Sequence, residues 1–311
     1  MSKAKKKRSQ APVALVYFIT LLVFMAVFGF VAYQLMKKVT IFDKKNDDDE
    51  LKTDTSFSIM MARLNSTGTL MDVGLFKFMP EDEKVLIVPL PGRTVNESNG
   101  ALLSEEYQTG GIRNLNNAVE TVLGVQVDYY ITVEESAFET VFDIIGGVVF
   151  TPDEELYRLS ENDAEDIAYQ AGIAVELSGI QARVLLDTNI FSTGWQGNLN
   201  LQGSVLQQLV NSAFRQASLT KNSIDNIYGK LTGTGETNYT AAQFRDHRQV
   251  IVEMLDKKLK PAMLFKTDGE WRDEDRFVVA ATFKNSLQEI YGTAPVSDKA
   301  AMNATEDAEE E

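Results

Sequence analysis

The chain has 311 residues, 44% hydrophobic and 24% charged, which is enough apolar material for one large domain or two small ones and excludes wholesale disorder. It contains no cysteine, which excludes a disulfide framework and any Cys-ligated metal. Its formal charge of −15 is unevenly placed: residues 1–38 carry seven cations and no acid, leaving residues 39–311 at −22, a poor surface for nucleic acid.

The basic segment 1–12 holds Lys3, Lys5, Lys6, Lys7 and Arg8 directly before an uncharged run, Val13 to Met36, VALVYFITLLVFMAVFGFVAYQLM. At about 1.5 Å per residue these 24 residues span a hydrocarbon core of about 30 Å. The run has no polar stripe, and the preceding cations predict a cytoplasmic N-terminus with everything downstream outside. A cleaved signal peptide is the rival reading. It needs a shorter apolar region and a small-x-small cleavage site, and Phe30-Val31-Ala32-Tyr33-Gln34 offers none. Residues 37–52, with Asp43 to Lys52 reading DKKNDDDELK, predict a charged, solvated tether.

Next come strands at Ser56 to Leu64, Met71 to Phe78 and Lys84 to Leu90, the last two joined by a turn at Pro80-Glu81-Asp82-Glu83. Apolar residues at 112, 115, 119, 122 and 123 predict a helix over Ile112 to Leu123 that stops at Gly124. A strand follows at Tyr129 to Val133. A helix over Ser136 to Ile145 places Phe138, Val141, Phe142 and Ile145 on one face, and a strand begins at Val148. Helices are expected at Ser178 to Leu186, Gly203 to Ala217, Thr240 to Leu259 and Lys284 to Tyr291, with a short strand at Phe277 to Ala281. Residues 293–311 are small and acidic and predict a disordered tail. The alternation of strands and helices argues an α/β domain over residues 53–292, a single α-β-α layered unit with a central mixed sheet, preceded by one transmembrane helix.

The segment AVETVLGVQVDYYITVEESAFETVFDIIGGVVF, Ala118 to Phe150, resembles LytR–CpsA–Psr domains, also called cell-envelope-related transcriptional attenuators. The residues that carry the resemblance are Leu123-Gly124, Asp128-Tyr129-Tyr130, Phe138 and Gly146-Gly147-Val148. Gly110-Gly111, the hairpin VGLFKFMPEDEKVLIVPLPGRTV, LSGIQA at Leu177 to Ala182 and the closing RFVVAATFKNSLQEIYG agree with it. The resemblance implies membrane-anchored proteins that transfer a polyprenyl-pyrophosphate-linked glycopolymer onto peptidoglycan in Gram-positive wall assembly. It further implies an apolar cleft for the lipid, arginines on the pyrophosphate and aspartates on Mg²⁺. Forked guanidinium groups match a diphosphate, and the metal offsets charge on the leaving oxygens.

The chain departs from that pattern where the chemistry should lie. The Pro-Arg-Asp triplet reads Pro91-Gly92-Arg93, and the Arg-Ser-Asp-Thr element reads Thr69-Leu70-Met71-Asp72, its aspartate one place off. An Arg-x-Arg pair is replaced by Asp187 and Asn189, and Gly-Arg-x-x-Arg-Gln reads Gly197-Asn198-Leu199-Asn200-Leu201-Gln202. Six expected arginines are thus absent, at positions 69, 92, 187, 189, 198 and 201, against one new one, Arg93. At about 1.5–3 kcal/mol per charge-assisted contact, that loss removes most of the grip on a diphosphate.

The leading expectation is a non-catalytic relative that binds lipid or scaffolds envelope assembly. Its ligand-binding candidates are Arg93, Phe138, Val141, Phe142 and Trp195, and it needs no cofactor. Its partners are the bilayer and a polyprenyl lipid or other envelope-assembly proteins, without nucleic acid. The alternative is an active transferase using Arg93 with Arg113 or Arg183, with Asp72 holding Mg²⁺. His247, the single histidine, reads as a surface residue on a charged helix face. The acids at Asp153 to Glu155 and Glu161 to Asp166 read as a solvated loop without EF-hand spacing, and Trp195 as part of a Gly/Asn-rich loop.

Overall fold

A computed structural model describes residues 55–162, 165–257, 260–273 and 275–293; the apolar run, the tether and the acidic tail lie outside these. Every described residue belongs to one compact unit that begins at Thr55. Among the described residues no helix is long and apolar enough to cross a membrane.

Mostly apolar runs build three antiparallel strands: β1 (Phe57–Leu64), β2 (Leu70–Met79) and β3 (Lys84–Pro91). The Pro80–Glu83 turn joins β2 to β3 as its composition predicts, with Glu83 at a φ of 54°. β4 (Tyr129–Val133) adds parallel to β1, and β9 (Ala262–Leu264) parallel to β3, so the five-stranded sheet is mixed, in the order β4-β1-β2-β3-β9. Period two then sorts the side chains. Met60, Ala62, Val73, Leu75, Leu86 and Val88 pack on one face against α1 (Leu103–Leu123) and α7 (Ala281–Tyr291). Phe76, Val85, Ile87, Ile131 and Val133 face the other way, into two clusters built from α2 (Glu135–Ile145), α3 (Gly179–Asp187), α4 (Trp195–Arg215), α5 (Ala217–Thr232) and α6 (Ala241–Lys257).

Several expectations are corrected. The helix expected from Ile112 begins nine residues earlier, because α1 runs through a break at Gly111, whose φ of 66° and ψ of −162° suit glycine best. Upstream of the break, Glu106 accepts from Asn96, Asn99 and Asn114 at 2.9, 2.7 and 2.6 Å and so ties the β3–α1 loop to the helix. The Trp195 segment is the first turn of α4 rather than a loop. α5 is a helix where none was expected, and the acidic stretch after Val148 holds two strand pairs. Only the inner pair, β6 (Leu156–Arg158) with β7 (Ile167–Tyr169), is a hairpin of consecutive strands; β5 (Val148–Phe150) pairs with β8 (Val175–Leu177) across it in sequence.

His247 is not a surface residue on a charged face. Its ring stacks on Phe57 with centroids 3.9 Å apart, and its Nδ1 lies 3.1 Å from the Tyr239 hydroxyl. Burial pushes its imidazole below the ordinary value, against the pull of Asp246 and Asp128.

The outer edge of β4 is covered. Thr132 N–H donates to the Glu236 carbonyl at 2.9 Å, Glu236 N–H returns a bond to Thr132 Oγ1 at 2.6 Å, and Tyr130 N–H donates to Asn238 Oδ1 at 2.7 Å. The segment before α6 therefore occupies most of the hydrogen-bonding positions a further strand would use.

Candidate functional site

The register of the first hairpin decides the chemistry of the cleft beside it. Arg63 on β1 stands directly across from Asp72 on β2. Its Nε and Nη2 donate to Asp72 Oδ2 at 3.0 and 2.5 Å, and its Nη1 donates to Asp187 Oδ1 at 2.6 Å. Asp187 is the last residue of α3, where the helix dipole disfavours an anion, so Arg63 supplies the compensating charge. The side chains of Arg63, Asp72 and Asp187 are 2, 12 and 20% exposed. Burial works against the Arg63 charge, yet the two carboxylates outweigh it and hold the guanidinium above its ordinary value. Burial also lifts the Asp72 carboxyl, with Arg63 opposing.

Arg63 and Asp72 line a cleft of about 260 Å³ that also takes in Thr69, Gly92, Arg93, Trp195 and Asn198; Asp187, bonded to Arg63, is not part of that lining. Three of the six positions at which the resemblance expects arginine, 69, 92 and 198, thus converge here, and the other three lie elsewhere. Thr69 is exposed. A Cβ at Gly92 would lie 2.8 Å from the Met71 carbonyl oxygen and 2.9 Å from that of Leu70, so the backbone has closed where a side chain would stand. Asp187 is spent on Arg63. Asn198 donates to the carbonyls of Leu186 and Thr188 at 3.1 and 2.9 Å, capping the end of α3. Leu201 is in the core. Asn189 is exposed and lines a neighbouring hollow of about 640 Å³.

The added arginine is engaged too. Arg93 donates to Asp275 at 3.0 Å and lies 4.3 Å from the centroid of the Trp195 ring. Residues 93–95 run beside β11 (Arg276–Val279), bonded through Phe277, which brings these groups together. The cleft and its rim therefore set two guanidinium groups against three carboxylates.

The structure thus joins Arg93, Trp195 and Asp72 of the expected residues in one place. It does not bring Phe138, Val141 and Phe142 to the cleft lining. They are 3, 6 and 0% exposed, packed within the core under α2, with Phe138 meeting the site only as a ring 5.4 Å from the Arg63 guanidinium. Arg183 donates to Glu139 and Glu165 at 2.7 and 3.0 Å, and Arg113 is exposed on α1; neither lines the cleft. Sequence reasoning missed Arg63. The available signal was a lone cation in an otherwise apolar strand, which a buried carboxylate must accompany. A larger hollow of about 810 Å³ lies along a different face of α4, past Gly197, Asn200 and Ser204.

The Mg²⁺ that the resemblance implies does not fit this donor set. Asp72 Oδ2 already accepts two N–H bonds and Asp187 Oδ1 a third, so a cation between them would collide with a guanidinium. Among the described residues no three His, Asp or Glu side chains gather as metal ligands.

The profile of the LytR_cpsA_psr family matches residues 39–290. The chain belongs to this family. Solved structures share its fold. A protein from Eubacterium siraeum is similar with a TM-score of 0.69 at 16% identity, over 81% of this chain and 97% of its own. TagV of B. subtilis matches with a TM-score of 0.60 at 19% identity, over 78% and 99%. TagT, solved bound to LI-WTA, matches with a TM-score of 0.56 at 16% identity, over 80% and 96%. No curated protein matches the chain. Within the LytR–CpsA–Psr family this member therefore keeps the fold and fills its cleft with internal ion pairs.

Proposed function

We propose that this LytR–CpsA–Psr protein is a non-catalytic scaffold in cell-envelope assembly, held at the outer face of the membrane by Val13–Met36 with its N-terminus in the cytoplasm. One observation carries the reading: Arg63, the buried one of the two guanidinium groups at the cleft, has its Nε, Nη1 and Nη2 committed to Asp72 and Asp187. A diphosphate offers only acceptors. To bind, it would have to displace two carboxylates from a buried cation, and both would then be left facing it. Gly92 supports the reading, since its contacts with the Met71 and Leu70 carbonyls leave no room for a replacement arginine. Of the two non-catalytic roles open from sequence, the closed packing of Phe138, Val141 and Phe142 favours scaffolding over holding a prenyl chain. The bilayer and other envelope-assembly proteins are then its partners.

Isothermal titration of the full chain in detergent with geranylgeranyl diphosphate, with and without Mg²⁺, tests this. The expected result is no metal-dependent binding. Tight binding that requires Mg²⁺ would overturn the reading in favour of a transferase built on Arg93 and Asp72. Topology is checked separately: protease added to intact cells should digest the domain from residue 55 onward, and protection of that domain would refute the orientation.

A further inference from the structure

β5 pairs with β8, and β6 with β7, in a single register: six residues on from Phe150 and six back from its partner Val175 stand Leu156 and its partner Tyr169. The four strands are therefore one arm, Val148 to Leu177, and where its ladder is broken Gly172 N–H still donates to the Pro152 carbonyl at 2.8 Å. Period two gives the arm two faces. Val148, Leu156, Ile167, Tyr169 and Leu177 are buried in the core. Val149, Tyr157 and Leu159 alternate with them and are 44, 63 and 62% exposed. A ribbon face turned to solvent is ordinarily polar, as on β10 (Gly269–Arg272), which pairs with β11 and exposes Glu270 and Arg272. With Ile173, the arm holds four of the five large apolar side chains that stand exposed among the described residues, so they form a concentration rather than a scatter.

Charge decides what can cover this face. The same stretch carries eight acids and one cation, Arg158, which donates to Thr188 just past α3 at 2.7 Å. A second copy meeting the arm about a two-fold axis would bring acid against acid, and anionic headgroups of a bilayer would do the same. A basic partner is favoured on both counts. Strands of three residues offer few edge amides to an added strand. A helix keeps its own backbone bonds and docks through side chains alone.

We propose that the outer face of this arm docks a basic amphipathic helix of another envelope protein, its apolar stripe over Tyr157 and Leu159 and its lysines or arginines over the acids. The inference deepens the scaffold reading and rests on it, naming the surface used and the kind of partner. Four side chains are far fewer than a standard interface buries, so the contact is weak and sensitive to salt.

The chain has no cysteine, so Ala168→Cys, at the exposed position opposite Tyr157, takes an environment-sensitive bimane label at one place. The labelled full chain in phosphatidylcholine nanodiscs is titrated with a model helix of leucine and lysine and with its leucine–glutamate counterpart. The lysine helix is expected to give a saturable shift, weakened at least tenfold in about 1 M salt, and the glutamate helix none. Tyr157→Ser combined with Leu159→Ser should weaken binding at least tenfold with an unchanged melting midpoint, while Tyr157→Phe, which keeps the ring, should bind as the parent does. No shift with the lysine helix, an equal shift with the glutamate helix, or a shift unaltered by the double serine variant would overturn the proposal. So would a label response to phosphatidylglycerol in the discs without any helix, which gives the face to the bilayer, or a dimer that the double variant abolishes, which gives it to a second copy. Diphosphate binding is scored in its own titration: it would sink the scaffold reading whatever the arm does, and failure of the arm alone would leave the non-catalytic reading standing.

Discussion

Replacing Arg63 by Met removes the one cation from between two carboxylates while keeping the length of an apolar side chain. Breaking a buried ion pair from one side costs about 3–5 kcal/mol. Asp72 and Asp187 are 12 and 20% exposed, so water relieves part of the penalty and the lower end, about 3 kcal/mol, applies. For a domain of this size about 1 kcal/mol moves the melting midpoint by about 2–4 °C, so R63M should melt about 6–12 °C lower. The triple variant R63M/D72N/D187N removes the stranded charges along with the cation and should recover most of that loss. Thermal unfolding of the full chain at neutral pH, followed by tryptophan fluorescence and circular dichroism, measures both. An R63M midpoint equal to that of the parent would show that the guanidinium is not structurally committed. A triple variant as weak as the single would show that stranded charge is not the cause. Either result removes the basis for calling the site closed.

Gly92→Ala places a Cβ against two backbone carbonyls that cannot easily retreat, so it should cost about 1–3 kcal/mol in a melting experiment, and Gly92→Arg should cost more without gaining diphosphate affinity in titration. Glu106, half-wrapped by three asparagines, has its carboxyl held below the ordinary value first by Asn99, against burial and with help from Asn96 and Asn114. Its stabilisation is present above the unfolded value of about 4.3 and is lost as pH falls through the folded one, so Glu106→Gln should flatten the acid limb of a stability–pH curve and cost about 1 kcal/mol at neutral pH. His247 has a folded value below the unfolded one of about 6.5, so its neutral form stabilises the fold above that pH and the contribution fades as pH drops through the window. The groups placed around it are Asp246, Asp128, Tyr129 and Tyr239. His247→Phe, which keeps the stack on Phe57, should remove that slope between pH 7 and 5 in denaturant titrations, and a persisting slope would assign it elsewhere.

Much of the fold was legible in the sequence because the central strands are short, nearly continuous apolar runs bounded by turn residues. Phe57–Leu64, Leu70–Met79 and Lys84–Pro91 lie within a residue of their expected bounds, since each strand buries both faces. The elements missed were those with little apolar signal. α5 fully buries only Thr220 and Ile224, and the three-residue strands β5 to β8 are too short to show a period. Gly194 and Gly197 beside Trp195 suggest a loop, yet Gly194 is the residue before the helix and Gly197 packs under Phe191. At the site, the missing arginines could be read position by position, and three of the six places, Thr69, Gly92 and Asn198, line one cleft. What fills them could not be read. The pairing of Arg63 with Asp187 joins residues 124 positions apart and depends on how α3 lies over the first hairpin. The burial of His247 likewise came from tertiary packing: Phe57 and Tyr239 lie far from it in sequence or on another element, while its own helix neighbours, Arg245 and Arg248, are polar.

The covered rim of β4 bears on how such a protein can meet others. With Glu236 to Asn238 laid along one margin of the sheet, and only the three residues of β9 at the other, neither side offers a long rail of free amides. If the chain is anchored as proposed, crowded copies would therefore have little means of zipping sheet to sheet. Any assembly this molecule enters must be read through the shape and chemistry of its side chains, which leaves the choice of neighbour to a small number of surface substitutions.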